Sequence, residues 1–158
     1  MILVALGSNI DGPWGNPRQA VARALVELNQ FPLRLRKTSS LIITKPYGVL
    51  NQPDFVNAVA LIDTALSPEA LMAKLHAIER AAGRRRRKRW GPRCLDLDLL
   101  DYHGLRRSGA RNTLKPLRLP HPGIQDRKFV LAPMFEVVPT WHHPVTHLTA
   151  SDMLKKLR

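Results

Sequence analysis

A chain of 158 residues is long enough to bury a core without disulfide staples, and its single cysteine, Cys94, excludes an intramolecular bridge and fits a reducing cytosol. No apolar run approaches the length of a membrane span, and the opening MILVALGSN lacks a charged leader and a cleavage site, so the expectation is a cytoplasmic protein. The 25 Lys and Arg against 12 Asp and Glu give a net charge of +13, which asks for an anionic partner: nucleic acid, anionic lipid or a small polyphosphate.

Residues 1–8 read as an apolar strand ended by Gly7. DGPWGN is turn chemistry, and Asn16-Pro17 is an N-cap followed by proline at the first helical position. Ala20, Val21, Ala24, Leu25 and Leu28 then share one helical face. Leu33-Arg34-Leu35-Arg36 alternates as a second strand, continued by Leu41-Ile42-Ile43, before the loop KPYGVLNQPD at 45–54. FVNAVALID, 55–63, is apolar on both faces, as expected of a strand inside a sheet. Ser67-Pro68-Glu69 starts a second helix with Leu71, Leu75, Ile78 and Ala82 on its buried stripe and Gly83 as its stop. A basic loop follows, then a fourth strand over 93–101.

The order is β-α-β-β-α-β, the ferredoxin-like pattern: an α+β sandwich with an antiparallel sheet and both helices on one face. Beyond it lie an irregular basic stretch (105–119), the loop LPHPG, a helical segment near 125–137 and a closing helix from Ser151, a C-terminal helical extension. No internal repeat or linker interrupts the chain, so 1–158 is expected to form one domain.

The chemistry concentrates in RRRRKRWGPRCLDLDLL. Segment 84–93 holds seven of the 25 cations and no acid, and it runs into two aspartates one residue apart. On a strand Asp96 and Asp98 point the same way, with Leu95, Leu97 and Leu99 toward the core and Cys94 and Leu100 on the aspartate side. Two like charges on one face need an offset. A divalent cation supplies one, and magnesium takes carboxylates together with substrate phosphates. A solvated strand face balanced by nearby arginines is the plainer alternative. The basic run could likewise be a nucleic-acid patch, although its carboxylates would repel a bare phosphate backbone. No glycine-rich phosphate loop is present, so side chains and metal would have to hold any phosphate.

Phe55 and Asn57 share a strand face just after the turn-rich loop. Core packing accounts for the phenylalanine; the amide needs partners, which a flat heterocycle with polar edges would provide. His121 sits between two prolines, with Arg127 and Phe129 close behind. His142, His143 and His147 lack a matching set of Cys or acid ligands and read as a solvated tail.

With GSN at 7–9, TKPYGVLNQPDFVN at 44–57, IERAAGR at 78–84, RWGPRCLDLDLL at 89–100 and LPHPGIQDRKFVLAP at 119–133, the chain resembles the 6-hydroxymethyl-7,8-dihydropterin pyrophosphokinases of folate synthesis. The resemblance runs in order from residue 2 to about 139, and RWGPR-x-LDLD is specific to that family. It implies a ferredoxin-like monomer that moves the pyrophosphoryl group of ATP to the pterin hydroxymethyl oxygen and releases AMP. It further implies two Mg2+ ions on Asp96 and Asp98, with Arg84 and Arg93 stabilising charge on the transferring group and Arg86 in a lid. Glu79, Arg84, Arg86, Arg93, His121 and Arg127 fall at ATP-binding positions. Thr44, Phe55, Asn57, Trp90, Asp96 and Phe129 fall at pterin-contacting positions, Phe55 and Phe129 as two faces of a ring sandwich. Either a metal-activated hydroxyl or Asp96 could serve as base. Lys45 stands where a proline is frequent in the family, Pro122 where some members have an aromatic, and 105–116 carries no assignment.

The expected partners are therefore ATP and hydroxymethyl dihydropterin, with no nucleic acid and no membrane. An RNA-binding ferredoxin-like module is the alternative from another class, and it would need stacking rings where these strands carry acids. A pyrophosphokinase acting on a modified pterin is a third reading.

Overall fold

The computed structural model describes residues 1–46, 48, 51–84, 92–109 and 116–157. Arg86 and Trp90, and the other residues of the basic loop from 85 to 91, lie outside them.

Strand β1 (Ile2–Ser8) is central, because its alternation is apolar on both sides. It pairs antiparallel with β4 (Phe55–Thr64) on one edge and β5 (Asp96–Tyr102) on the other. The far edge of β4 is covered by two short pieces, β2 (Leu33–Thr38) and β3 (Ile42–Thr44), also antiparallel. The sheet order is thus β2-β4-β1-β5, with β3 beside β4. The segment read as one interrupted strand is two strands serving successive lengths of the same neighbour.

Helix α1 (Pro17–Glu27) starts where Asn16 accepts from the Gln19 amide while the Gln19 side chain caps back, and proline occupies the first turn. Helix α2 (Pro68–Ala81) is capped by Ser67 and stopped at Gly83, whose φ of +95° suits the one residue without a Cβ. Both helices pack on one sheet face. Val21, Ala24, Leu28, Leu71, Leu75 and Ile78 meet Ile2, Val4, Leu6, Ala58, Ala60, Leu97 and Leu99 there.

The opposite face is not solvated. Helices α3 (Lys128–Val137) and α4 (Ala150–Lys156) bury Leu131, Met134, Val137 and Met153 against Leu3, Val59 and Leu100. The C-terminal extension therefore forms a third layer. A bulge permits this on β5: Leu3 pairs with Asp101 and Val4 with Leu99, leaving Leu100 as the extra residue. Leu100 packs in the second core, and the buried Asp101 carboxylate accepts from Trp141 Nε1 at 2.8 Å.

Three expectations need correction. Strand β5 begins at Asp96, not 93. Cys94 precedes it and does not share the aspartate face; its thiol faces the carbonyls of Asp11 and Gly83. The stretch 105–119 is not wholly irregular, since β6 (Arg107–Ser108) and β7 (Arg118–Leu119) pair as a short hairpin that Leu119 anchors in the core. His143 is no solvated tail: it is buried, and its Nδ1 accepts from the Val145 and Thr146 amides, holding a turn closed. Among the described residues no helix is long and apolar enough to cross a membrane.

Candidate active site

In an antiparallel sheet the C-terminal end of β1 meets the N-terminal ends of both neighbours. Gly7 lies opposite Asn57 of β4 and Asp96 of β5, and Ala5 lies opposite Asp98. Along this face of β1 the side chains shrink, from Leu3 under α3 to Ala5 and Gly7. The taper leaves a cleft of about 580 Å³ at the end of the sheet.

Three zones of the cleft follow from the strand order. On the β3–β4 side stand Thr44, Phe55 and Asn57, and Phe129 of α3 lines the same cleft. Asn57 is buried, and its amide donates to the Thr44 hydroxyl at 2.5 Å, fixing which edge it presents. In the middle Asp96 and Asp98 stand on β5. On the outer side the loop after β7 contributes His121 and Arg127. That loop is tied to β5 by the His121 amide, which donates to the Leu100 carbonyl at 2.9 Å.

The two aspartates differ. Asp96 accepts from Arg84 Nη1 at 2.8 Å, and the same guanidinium nitrogen is paired with Glu79. Asp98 has His121 Nε2 at 4.0 Å. Burial, reinforced by repulsion from Asp96, pushes the Asp98 carboxyl up to about 8. Two carboxylates presented side by side at the mouth of a cleft suit a dication. Among the described residues no three His, Cys, Asp or Glu converge on one point. The donor set fits magnesium, which needs one or two carboxylates and takes its other ligands from phosphates and water.

Glu79 does not line the cleft. It is buried beneath it on α2, where Oε2 also accepts from the Leu97 amide at 2.8 Å, so it locks the start of β5 and the Arg84 guanidinium together. Burial, opposed by Arg84, pushes its carboxyl up to about 7.

His121 is held neutral. Burial and the Arg127 guanidinium bring its imidazole down to about 4, and Nδ1 accepts from the Gly123 amide at 3.0 Å. The ring proton is therefore on Nε2, a donor facing the cleft. The Arg127 guanidinium packs against Gly123, where a Cβ would lie 2.8 Å from Arg127 Cζ. The guanidinium also sits 5.9 Å from the Phe129 ring centroid.

Arg93 lines the cleft just before β5. Its backbone is clamped by the buried Asn9, whose Oδ1 accepts from Arg93 N at 2.8 Å and whose N–H donates to Arg93 O at 3.0 Å. The Asn9 amide nitrogen donates to Gln52 Oε1 and Pro53 O, both at 2.9 Å. One side chain thus ties the loop leading to Phe55 to the segment leading to Asp96. Asn9 belongs to the GSN at 7–9 that carries the family resemblance, but nothing in its local pattern assigns it a role, because this signal is spatial.

Of the residues expected at the site, Thr44, Phe55, Asn57, Arg84, Arg93, Asp96, Asp98, His121, Arg127 and Phe129 line this cleft. Sequence reasoning gave no role to Gly7, Lys45, Arg118 or Asp126, which line it too. Arg118 comes from the stretch left unassigned because a two-residue strand carries no periodic signal.

The family model described as 7,8-dihydro-6-hydroxymethylpterin-pyrophosphokinase (HPPK) matches residues 3–139. A 2-amino-4-hydroxy-6-hydroxymethyldihydropteridine pyrophosphokinase of Haemophilus influenzae is 42% identical over 134 residues, spanning 85% of this chain and 79% of the relative. One of the same name from Pseudomonas aeruginosa is 41% identical over 144 residues, spanning 90% and 83%. Among solved structures, Plasmodium falciparum HPPK-DHPS with pteroate superposes with a TM-score of 0.75 at 12% identity. That likeness covers 98% of this chain and 42% of the other, and it speaks for the fold alone. By the extent of the family match and the identity to two near full-length relatives, the chain belongs to the 7,8-dihydro-6-hydroxymethylpterin-pyrophosphokinase family.

Proposed function

We propose that this cleft transfers the pyrophosphoryl group of MgATP to the hydroxymethyl oxygen of 6-hydroxymethyl-7,8-dihydropterin, giving AMP and the pterin diphosphate, a step of folate biosynthesis. The observation that carries the reading is the order of zones: a carboxylate pair stands between an aromatic–amide end and a cationic end. Phe55 and Phe129 bind the flat pterin by their ring faces, and Asn57, with its amide fixed by Thr44, reads a polar edge. This places the hydroxymethyl group toward β5. His121 Nε2–H and the Arg127 guanidinium hold phosphate oxygens from the outer side.

Asp96 and Asp98 would hold magnesium, two ions in this reading, which when bound neutralises phosphate charge and orients the oxygens. Arg84 is pre-oriented by Glu79 at the edge of the carboxylate pair, and Arg93 by the Asn9 clamp. Both bring positive charge to the group in flight, where positioning and charge neutralisation matter more than covalent chemistry. Arg86 and Trp90 are assigned to the lid and the pterin by family position alone. The strand order β2-β4-β1-β5, antiparallel throughout, supports the ferredoxin-like topology, and the sheet shared by both cores supports one domain for the whole chain. In this reading the chain acts as a cytoplasmic monomer.

A two-ligand NMR titration tests the zoning. The pterin should shift resonances of Phe55, Asn57 and Phe129, and MgATP those of His121 and Arg127. Coincident shifts from both ligands, or shifts outside the cleft, would overturn it.

A further inference from the structure

Residues 9–15 join β1 to α1. They begin with Asn9, which clamps the Arg93 backbone, and end in a tight turn. In that turn the Gly12 N–H donates to the Gly15 carbonyl at 3.0 Å and the Gly15 N–H to the Gly12 carbonyl at 2.9 Å. Trp14 packs on the first core, and the Arg23 guanidinium lies 5.0 Å from its ring centroid. A turn tied at both ends and pinned by an aromatic is stiff. Cys94 lies against one side of it and the end of α2 against the other. A Cβ at Gly12 would lie 2.9 Å from Cys94 Sγ, 3.1 Å from Cys94 Cβ and 3.3 Å from the Ala82 carbonyl oxygen. A Cβ at Gly83 would lie 2.5 Å from Pro13 Cδ. The Cys94 thiol has the Asp11 carbonyl at 3.8 Å and the Gly83 carbonyl at 3.9 Å, and its one proton can serve either. The turn thus fills the gap between residues 82–83 and residue 94 with no room for a methyl group.

Arg84 directly follows Gly83, and Arg93 directly precedes Cys94. Arg84 is bonded to Asp96, and both arginines line the cleft. We infer that the turn 12–15, bearing on Cys94, is a spacer that sets how far apart Arg84 and Arg93 stand, which makes Gly12 and Cys94 positioning residues for the transfer step. The inference rests on the pyrophosphokinase reading and adds two residues that are not among those lining the cleft. A spacer of this kind touches no substrate. It acts on the alignment of charge in the transition state and leaves ground-state binding almost alone.

The test compares wild type with Gly12→Ala, Cys94→Ala and the double variant, reading the single-turnover rate of AMP formation and the calorimetric dissociation constants of MgATP and the pterin. Gly12 is not in the left-handed region, so alanine suits its backbone and the contact alone is tested. The added methyl must push Cys94 and Ala82 apart. The rate should fall about 10-fold or more, since a misplacement of about 1 Å can cost about 10²-fold. Both dissociation constants should hold within about twofold. Cys94→Ala removes the nearest atom, so it should slow the enzyme less than Gly12→Ala does, and the double variant should recover most of the lost rate. Methyl methanethiosulfonate makes the same intrusion from the other side on the already folded protein, because Cys94 is the single cysteine. The rate should fall on methylthiolation and return on reduction, whatever the stability of Gly12→Ala. An unchanged rate in Gly12→Ala and in the methylthiolated protein would overturn the inference with the activity standing. So would a double variant as slow as Gly12→Ala, or lost affinity for both ligands with the transfer rate kept. A wild-type protein that forms no AMP from MgATP and the pterin would overturn the reading beneath it as well.

Discussion

Replacing Asp98 by Asn should stabilise the metal-free protein and disable the enzyme. The two carboxylates are i and i+2 on β5, so their Cα atoms are about 7 Å apart. At an effective dielectric constant of about 20, like unit charges at that distance repel by about 2 kcal/mol. Asp96 has Arg84 at 2.8 Å as an offset, while beside Asp98 the nearby His121, at 4.0 Å, is neutral, and the pull of Arg127 and Arg84 does not overcome the effect of burial. Its carboxyl is accordingly raised to about 8. A carboxyl whose folded value lies above its unfolded one stabilises the fold only while protonated. That contribution is complete below pH of about 4 and is lost as pH rises toward about 8. The Asp98 side chain is one-third exposed, so solvent screening reduces the effect to about 1–2 kcal/mol. Urea unfolding in EDTA at pH 5 and pH 8.5 measures it, and Asp98→Asn should gain on wild type by that amount between the two. With MgATP and pterin, loss of a magnesium ligand should lower kcat by about 10²-fold or more. A variant with no pH-dependent gain and normal turnover would refute both the electrostatics and the metal assignment.

Phe55→Ala should weaken pterin binding by about tenfold, since stacking a flat base on a ring is worth about 1–3 kcal/mol, and leave MgATP binding nearly unchanged; fluorescence titration with each ligand decides between site and core. Arg84→Ala should lower kcat more than it weakens ATP binding, because its guanidinium is held for the transferring group; a loss confined to nucleotide affinity in steady-state kinetics would contradict this. Burial holds the His143 imidazole below its usual range, so its contribution to stability is present above pH of about 6.5 and falls as pH drops through its folded value. His143→Ala should cost about 1–3 kcal/mol in urea melts at pH 8 by stranding the Val145 and Thr146 amides.

Much of the frame was legible because each element announces itself locally. Asn16-Pro17 and Ser67-Pro68 mark helix starts, Gly83 a helix stop, and the LDLDLL alternation puts Asp96 and Asp98 on one face. What stayed illegible is what neighbours decide. The late start of β5 depends on Asn9 holding Arg93, 84 residues away in sequence. The third layer depends on a bulge at Leu100, which period-two reasoning passes over. His143 looks like a tail residue by composition, and only the turn folded around it makes it structural. The aspartates and the aromatic–amide pair could be found from alternation. Arg118 and Lys45 could not, because one sits on a two-residue strand and the other in a turn-rich loop.

Pyrophosphoryl transfer in this cleft is decided by phosphorus NMR of the purified protein with MgATP and 6-hydroxymethyl-7,8-dihydropterin. The ATP resonances should disappear with matched growth of AMP and of a two-phosphorus spin system on the pterin, dependent on both pterin and magnesium. Pterin-dependent ADP with a single phosphorus on the pterin, or no consumption of ATP, would contradict it.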